Sequence, residues 1–224
     1  MERAPTRRHN GAMDVANLRK EYVRHGLLEH EAPADPFELF RRWFADAQRA
    51  GLEDPNAMTL ATVGADGRPH ARIVLLKGLD ERGFAFFTNK SSPKGAELAA
   101  QPFAALVFHW HDLERQVRVE GAVEHVSLEE SDTYFRMRPR DSRLGAIASP
   151  QSEVVASRAE LEERFAAVRA LHGDAGDVPR PPNWGGYRVL PDRIEFWQGR
   201  PARMHDRLVH VKHGGSWSRA RLAP

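Results

Sequence analysis

The chain has 224 residues, 41% of them hydrophobic and 29% charged, which is ordinary for a globular domain and excludes a collagen-like or wholly disordered chain. Its 33 lysines and arginines nearly balance its 31 aspartates and glutamates, for a net charge of +2. This excess is too small for the one-signed field of a nucleic-acid-binding protein. Cysteine is absent, so thiolate nucleophiles and sulfur-ligated zinc are excluded, and redox chemistry would need a bound cofactor.

The N-terminal segment 1–14 carries three arginines but no apolar stretch. It predicts a disordered tail rather than a secretory signal, followed by a single domain over 15–224. The longest apolar run, Phe103 to Phe108, is far shorter than the ~18 residues of a membrane-spanning helix. We therefore expect a cytoplasmic protein with neither a membrane nor a nucleic acid as partner.

Two helices are predicted before the first strand. Val15 to Leu28 has a weak apolar set and predicts a short helix. Pro36 to Ala50 is better marked, because Asp35 can cap its start and Gly51 can end its last turn. Its apolar residues recur at helical spacing on one face; they are Phe37, Phe40, Trp43, Phe44 and Ala47.

From Ala57 onward, short β-like runs are separated by turn residues, a pattern typical of antiparallel strands. The first five predicted strands are Ala57 to Val63, Ala71 to Lys77, Phe84 to Thr88, Phe103 to Trp110 and Arg115 to Val126. The last two are long, which favours curling of the sheet into a barrel.

Two capping boxes, Ser127 with Glu130 and Ser157 with Glu160, predict helices that run to about Met137 and Leu171. The buried stripe of the second helix is expected to be Leu161, Phe165, Val168 and Leu171 or His172. Strand character then returns in Tyr187 to Leu190, Arg193 to Gln198, Leu208 to Lys212 and Ser216 to Leu222. Because the βαβ rhythm of a parallel sheet is absent, the fold class is predicted to be α+β.

Sequence motifs for nucleotide, hydrolase and zinc-protease sites are missing: there is no P-loop, no G-x-G-x-x-G between a strand and a helix, no G-x-S-x-G and no H-E-x-x-H. His109 and His111 share one face of a predicted strand. No third ligand is suggested nearby, so ordinary histidines are favoured over a metal site.

Cations lie within and beside the apolar strands. Arg72 and Lys77 bracket a run that is expected to be buried, where a cation needs an anionic ligand unless the strand ends emerge into water. Lys94 follows a predicted helix start at Ser92 and Pro93; such a start is either a phosphate site or an ordinary solvated end.

Further cations cluster in the second half of the chain. Four arginines near Ser142 suit a phosphate monoester or form a solvated face; they are Arg136, Arg138, Arg140 and Arg143. Farther on, Trp197, Arg203, His205 and Arg207 lie within eleven positions. Trp197 is either part of a site or plain core, and His205 is either a site residue or simply bonded to Asp206.

Seven stretches follow one another along nearly the whole chain: Leu18 to Tyr22, Arg72 to Lys77, Leu113 to Val117, Arg138 to Ser142, Trp184 to Arg188, Ile194 to Gly199 and Arg203 to Arg207. In this order they resemble the pyridoxine (pyridoxamine) 5′-phosphate oxidases, FMN enzymes that make pyridoxal 5′-phosphate. The resemblance implies a split β-barrel with peripheral helices, which forms a homodimer and holds FMN at the subunit interface.

The implied activity is FMN-dependent oxidation of pyridoxine 5′-phosphate or pyridoxamine 5′-phosphate to pyridoxal 5′-phosphate, in vitamin B6 biosynthesis and salvage. O2 is the acceptor, H2O2 is formed, and the amine also releases ammonia. Two alternatives remain open: a split-barrel flavoprotein that oxidises another aromatic substrate of the phenazine type, and a non-enzymatic FMN-binding protein.

The resemblance also implies the site residues. Flavin contacts fall on Arg72, Ile73, Val74, Leu75, Leu76, Lys77, Phe87, Thr88, Lys94, Gln116, Gln151, Ser152, Trp197 and Arg207. Substrate contacts fall on Lys77, Tyr134, Arg138, Ser142, Arg203, Met204 and His205, with Arg203 and His205 as the catalytic pair at the pyridine ring. An N-terminal segment that closes over the substrate matches Arg19, Lys20, Glu21 and Tyr22.

Three positions depart from the family pattern. Pro93 stands where many members have an arginine, so Lys94 and the helix start must hold the flavin phosphate without it. Phe87 replaces a frequent tyrosine, which keeps the ring and loses the hydroxyl, and Ile147 replaces a common tryptophan.

Overall fold

The computed structural model describes residues 26–224. The predicted tail 1–14 and the segment with Arg19, Lys20, Glu21 and Tyr22 lie outside the described residues. Of the predicted helix Val15 to Leu28, only 26–28 are described, and they are not helical. The division into a tail and one domain therefore stays a prediction.

Within 26–224 the chain forms five α-helices and nine strands. The helices are α1 (Pro36–Arg49), α2 (Pro93–Ala100), α3 (Leu128–Met137), α4 (Arg140–Ala148) and α5 (Arg158–His172). The strands are β1 (Ala57–Val63), β2 (Pro69–Leu75), β3 (Gly78–Leu79), β4 (Phe84–Asn89), β5 (Phe103–Trp110), β6 (Arg115–His125), β7 (Trp184–Gln198), β8 (Asp206–His213) and β9 (Ser216–Arg221).

The strands form one antiparallel sheet in the order β2-β1-β5-β6-β7-β4-β3, with β8 and β9 continuing from β7. The 15-residue strand β7 pairs with β4 through its first half and with β8 through its second half. A bulge between Glu120 and Gly121 interrupts its pairing with β6. A Cβ at Gly121 would lie 2.0 Å from the Leu190 carbonyl oxygen, so the approach of the two strands there requires glycine. The bulge and the change of partner are consistent with a sheet that curls into a half-barrel.

The main core lies between α1 and the sheet. The Asp35 carboxylate caps α1 by accepting from the Phe37 amide at 2.9 Å. Phe40 is fully buried and meets the rings of Phe84 and Phe108 edge-on, at centroid distances of 5.0 and 4.9 Å. A smaller cluster lies beneath α3 and α4, and it consists of Phe135, Leu144, Val178 and Trp184.

Several sequence predictions need correction. The predicted strand Ala71 to Lys77, expected to be buried, corresponds to β2, which ends at Leu75 and lies at the edge of the sheet, where Ile73 is 65% exposed. Tyr187 to Leu190 and Arg193 to Gln198 are one strand, because Pro191 sits at the bulge and leaves the pairing intact on either side. α4 was not predicted. The stripe expected on α5 is not fully buried: Leu161, Phe165, Val168 and His172 are half-buried, and Leu171 is exposed.

Candidate active site

A cavity of about 750 Å³ opens between the edge of the sheet and the helices that follow β4 and β6. Eleven of the residues assigned from the resemblance line it: Ile73, Val74, Leu75, Lys77, Phe87, Thr88, Lys94, Tyr134, Arg138, Ser142 and Gln151. Its lining includes three cations, Lys77, Lys94 and Arg138, and none of its described lining residues is an aspartate or a glutamate. Such a cavity suits an anionic ligand.

One end of the cavity is built around Lys94, in the first turn of α2. Lys94 is buried, and its Nζ donates to three neutral oxygens: Thr88 Oγ1 at 3.1 Å, Ser92 Oγ at 3.0 Å and Gln151 Oε1 at 3.0 Å. Burial lowers the pKa of Lys94, and the nearby charge of Arg72 lowers it further. The position beside a helix N-terminus and the neutral partners fit a phosphate group.

Close packing holds α2 in this position. A Cβ at Gly95 would lie 2.1 Å from the Lys90 carbonyl oxygen, so only glycine lets the first turn approach the loop after β4. Because Lys94 directly precedes Gly95, this close packing also sets the position from which the Lys94 side chain reaches into the cavity.

The other end of the cavity is aromatic and carries Arg138. Phe87 from β4 stacks on Tyr134 from α3, with ring centroids 4.2 Å apart. Arg138, at the end of α3, places its guanidinium over Trp184 and Phe135. Its buried Nη1 has no hydrogen-bond partner among the described residues. Burial lowers the pKa of Arg138, and an anion in the cavity would satisfy the unpaired donor.

Six predicted flavin-contacting residues do not line this cavity: Arg72, Leu76, Gln116, Ser152, Trp197 and Arg207. Arg72 pairs with Glu97 through Nη2 at 3.0 Å, so the anion it was expected to need is a carboxylate of this chain. Leu76 follows the last residue of β2 and belongs to the main core. Ser152 is exposed next to Gln151 and has a positive φ of 72°.

The remaining predicted residues form a second group on β6, β7 and β8, and they do not line the cavity. Gln116, Trp197 and Arg207 are directly opposite one another across these strands, so their side chains emerge on one face. Arg207 donates to the buried Glu195 at 2.8 Å, and this bond raises the pKa of Arg207.

Arg203, Met204 and His205 belong to this second group and precede β8. The His205 ring lies 4.7 Å from the Trp197 ring. Its Nδ1 accepts from the Arg200 backbone amide at 3.1 Å, which places the proton of the neutral ring on Nε2. Burial and the charge of Arg203 lower the pKa of His205. Arg203 and Ala202 both have positive φ values, 62° and 53°, a strained pair that holds this loop in a defined shape.

Sequence reasoning missed several residues that line the cavity. They are Asn89, Met137, Pro139, Gly145, Ala146, Ser149 and Trp184. Trp184 is the first residue of a stretch that carries the family resemblance, so the sequence did contain a signal for this residue. Gly145, Ala146 and Ser149 lie on or next to the unpredicted helix α4, and small residues of this kind carry no chemical signature of their own.

Within residues 26–224, no helix has the length and apolar character needed to cross a membrane. The same part contains no group of three or more histidines and acidic residues placed to hold a metal ion.

Two family models match most of the chain. Residues 44–172 match the family model described as "Pyridoxamine 5'-phosphate oxidase". Residues 184–224 match the model described as "Pyridoxine 5'-phosphate oxidase C-terminal dimerisation region". The second group of predicted site residues, apart from Gln116, lies within that dimerisation region.

Two similar proteins are both named pyridoxine/pyridoxamine 5'-phosphate oxidase. The protein from Thermosynechococcus vestitus is 62% identical over 210 residues, 94% of this chain and 99% of its own length. The protein from Pseudomonas paraeruginosa is 60% identical over 213 residues, 94% of this chain and 98% of its own length.

Solved structures show the same fold. PhzG from Burkholderia lata, solved with tetrahydrophenazine-1-carboxylic acid, has a TM-score of 0.83 at 32% identity and covers 88% of this chain and 98% of its own. A pyridoxamine 5'-phosphate oxidase-related FMN-binding protein from Nostoc punctiforme has a TM-score of 0.69 at 18% identity, covering 86% of this chain and 100% of its own.

The matches confirm the predicted split β-barrel. At the level of the family they also confirm an FMN-dependent oxidoreductase of vitamin B6 metabolism that forms a homodimer. The roles of individual residues stay predictions. Because one family model alone covers more than half of the sequence and the relatives align over nearly all of it, the chain belongs to the pyridoxamine 5′-phosphate oxidase family.

Proposed function

We propose that this chain oxidises pyridoxine 5′-phosphate or pyridoxamine 5′-phosphate to pyridoxal 5′-phosphate in the 750 Å³ cavity. The observation that carries the proposal is the presence of Lys77, Lys94 and Arg138 around one cavity whose described lining has no acidic residue. Both the cofactor and the substrate of such a reaction carry a phosphate, and the cavity has a cation for each.

The two ends of the cavity suit the two phosphates. Lys94, Thr88 and Gln151, together with the N-terminus of α2, would hold the phosphate of FMN. Arg138, Tyr134, Ser142 and Lys77 would hold the phosphate of the substrate; the unpaired Arg138 Nη1 supports this assignment.

FMN, when bound, accepts a hydride equivalent from the substrate and passes the electrons to O2, giving H2O2. The protein contributes binding and orientation. Phosphate contacts at Arg138 and Lys77 fix one end of the substrate, and the aromatic pair Phe87 and Tyr134 provides an apolar wall for flat rings. Arg203 and His205 would bind the pyridine ring and stabilise charge that develops on it.

Arg203 and His205 are proposed to come from the second subunit of the homodimer. They do not line the cavity of their own chain, and they belong to the matched dimerisation region. The exposed apolar residues of β2, Ile73 and Leu75, lie at the rim of the cavity and are available to be covered by a second copy.

The phenazine-type alternative is less well supported. PhzG is 32% identical to this chain, whereas the two pyridoxine/pyridoxamine 5'-phosphate oxidases are 60–62% identical over nearly its full length. The cations at the aromatic end of the cavity also suit a phosphorylated substrate better than a carboxylated tricycle.

The test is an absorbance spectrum of the purified protein before and after anaerobic addition of pyridoxamine 5′-phosphate. We expect a flavin spectrum that bleaches on addition, and then O2 consumption with H2O2 release once air is admitted. A flavin spectrum that does not change with either phosphorylated substrate would contradict the oxidase assignment and leave the non-enzymatic FMN protein. Bleaching by a dihydrophenazine carboxylate alone would support the other alternative.

The cellular location is part of the same proposal. A cytoplasmic location follows from the sequence expectations and is consistent with small phosphorylated substrates and a cysteine-free chain. Cell fractionation with an antibody against the protein tests it, and recovery in a membrane or secreted fraction would contradict it.

A further inference from the structure

Strand β7 packs against α3 through alternate residues at its start. Trp184, Gly186 and Arg188 point to the same face of the strand, because successive side chains of a strand alternate between faces. The Trp184 ring meets Phe135 of α3 edge-on at 4.9 Å, and the Gly186 amide donates to the Ser131 hydroxyl at 3.4 Å. The third residue of the row, Arg188, contacts the first turn of the helix through its charge.

Arg188 is the buried cation of a cluster of acidic side chains. Its side chain is 5% exposed, and its Nη2 donates to Glu130 Oε1 at 2.7 Å and to Asp80 Oδ2 at 3.4 Å. Its Nη1 lies 3.5 Å from the Glu124 carboxylate. The bond from Arg188 lowers the pKa of Glu130 to about 2. The pair therefore stays charged near neutral pH, and each partner holds the other in place because an unpaired buried charge is costly.

Glu130 connects this cluster to the aromatic end of the cavity. Its second carboxylate oxygen accepts from the Ser127 amide at 3.0 Å and completes the capping box of α3, so one side chain both starts the helix and ties it to β7. Tyr134 follows one turn later on the same face, and Arg138 comes directly after the last residue of the helix. Both line the cavity of the candidate site.

A second cavity, of about 670 Å³, lies on the other side of the wall that Phe87 and Tyr134 form. These two rings line both cavities, whereas Asp80, Glu130 and Arg188 line the second one. Because the second cavity is open space, packing from that side does not fix the Tyr134 ring. The position of the ring therefore depends on where α3 is held.

We propose that Arg188 is a positioning residue for the substrate phosphate: by holding Glu130, it sets where α3 presents Tyr134 and Arg138 to the cavity. This inference rests on the proposed function, because it takes the aromatic end of the cavity as the site of the substrate phosphate. Arg188 is not among the described lining residues of that cavity, so it acts through the helix. The proposed site of the FMN phosphate is built around Lys94 on a different helix, α2.

Substitution of Arg188 by glutamine removes the charge and keeps a polar side chain. Small displacements of binding groups weaken their contacts, so we expect Arg188→Gln to raise KM for pyridoxamine 5′-phosphate about tenfold. kcat should change little, because the phosphate is bound equally in the ground and transition states. Inorganic phosphate, as a competitive inhibitor of the FMN-loaded enzyme, should show a Ki raised by the same factor. The Kd for FMN, from flavin fluorescence on titration into the flavin-free protein, should equal that of wild type.

The matched control is Arg82→Gln. Arg82 donates to the same two acidic residues, to Asp80 Oδ2 at 2.6 Å and to Glu130 Oε1 at 3.1 Å, but its side chain is 49% exposed and lies in the turn before β4. Its kinetics should equal those of wild type, since exposed ion pairs contribute little. Arg188→Lys, which keeps the charge, should recover part of the lost affinity.

A double variant tests whether Arg188 acts through Arg138. In the Arg138→Ala background, Arg188→Gln should raise KM by a smaller factor than it does alone, because both changes weaken the same phosphate contact. Three results would overturn the proposal: wild-type KM and phosphate Ki in Arg188→Gln, a Kd for FMN that rises by the same factor as KM, or effects of the two substitutions that multiply without interaction.

If Arg188→Gln does not fold, Glu130→Gln replaces it with the same expected direction, since glutamine preserves the capping box. A wild-type protein that binds FMN but does not oxidise pyridoxamine 5′-phosphate would instead contradict the proposed function. The two failures are therefore distinguishable.

Discussion

The guanidinium of Arg138 lies 5.0 Å from the centroid of Trp184 and 5.6 Å from that of Phe135, half buried at the end of α3. Aromatic faces offset part of the cost of removing the cation from water, but they leave its N–H donors without acceptors. Nη1 is such a donor among the described residues. Such a guanidinium is stabilised most by an anion whose oxygens accept hydrogen bonds from it, and a phosphate monoester is an anion of this kind.

The first prediction concerns Arg138→Ala. A charged hydrogen bond contributes about 1.5–3 kcal/mol, so loss of the phosphate contact is expected to raise KM for pyridoxamine 5′-phosphate by roughly ten- to a hundredfold. kcat should change little, because the phosphate is bound equally in the ground and transition states. Steady-state kinetics at matched FMN content measures both.

The matched control is Arg136→Ala, which removes the same charge from an exposed position on α3 that does not line the cavity. Its kinetics should equal those of wild type. A large fall in kcat with a normal KM in Arg138→Ala would remove Arg138 from the phosphate site.

Individual residues show how far the sequence could predict the site. The family resemblance assigns Lys94, Arg138 and Tyr134 to the site, and the structure brings all three to one cavity. Arg72 is also assigned to the flavin site, but its partner Glu97 lies 25 positions away on another element. The residue pattern of the strand alone therefore could not reveal this ion pair. Leu76 is buried in the main core just after the end of β2, between the lining residues Leu75 and Lys77, and the apolar pattern of this stretch does not distinguish it from its neighbours.

The position of helix α4 depends on contacts with a distant part of the chain, and the sequence of α4 itself does not indicate them. Arg140, its first residue, donates to the carbonyl oxygens of His172, Gly173 and Gly176, which lie at the end of α5 and in the turn that follows. Carbonyls at a helix C-terminus lack partners within the helix and carry partial negative charge. The arginine therefore caps α5 and at the same time fixes the start of α4, where Ser142 enters the cavity.

This explains why the sequence predicted α3 and α5 but not α4. α3 begins with a reciprocal capping box, in which Ser127 and Glu130 exchange hydrogen bonds of 3.0 Å. Ser157 caps α5 by accepting from the Glu160 amide, although the Glu160 side chain accepts from the Ala156 amide rather than from that of Ser157. α4 follows Pro139 with no side-chain cap, and its anchor comes from a helix more than 20 residues farther along the chain.

The second prediction concerns Arg140→Ala. Loss of its contacts with α5 is expected to lower the free energy of unfolding by about 1–2 kcal/mol and to raise KM several-fold through displacement of Ser142. Urea denaturation and steady-state kinetics measure the two effects. Arg169→Ala is the control, since Arg169 is exposed near the same helix end and its ion pair with Asp174 is 3.9 Å long. Equal behaviour of both variants would refute the positioning role of Arg140.

At the scale of the whole molecule, the predicted residues that line the cavity and the second group on and beside β6, β7 and β8 must come together to form one site. The cavity belongs to β2, β4 and the helices, whereas Arg203 and His205 lie in the loop before β8, within the matched dimerisation region. Within one chain, the two groups of predicted residues therefore do not share one cavity. A two-fold symmetric dimer can place the second group of each chain against the cavity of the other, giving two equivalent sites.

The last prediction uses that symmetry. Arg138→Ala and Arg203→Leu homodimers should each be nearly inactive at low substrate concentration, because every site lacks one of the two arginines. A heterodimer of the two variants would contain one site with both substitutions and one site with neither. It is therefore expected to recover about half of the wild-type activity, with FMN retained. Co-expression of the two chains with different affinity tags, followed by purification over both, isolates the heterodimer for the assay. If each site were formed within a single chain, both sites of the heterodimer would stay defective, and a heterodimer no more active than the two parents would show that the arginines act within one subunit.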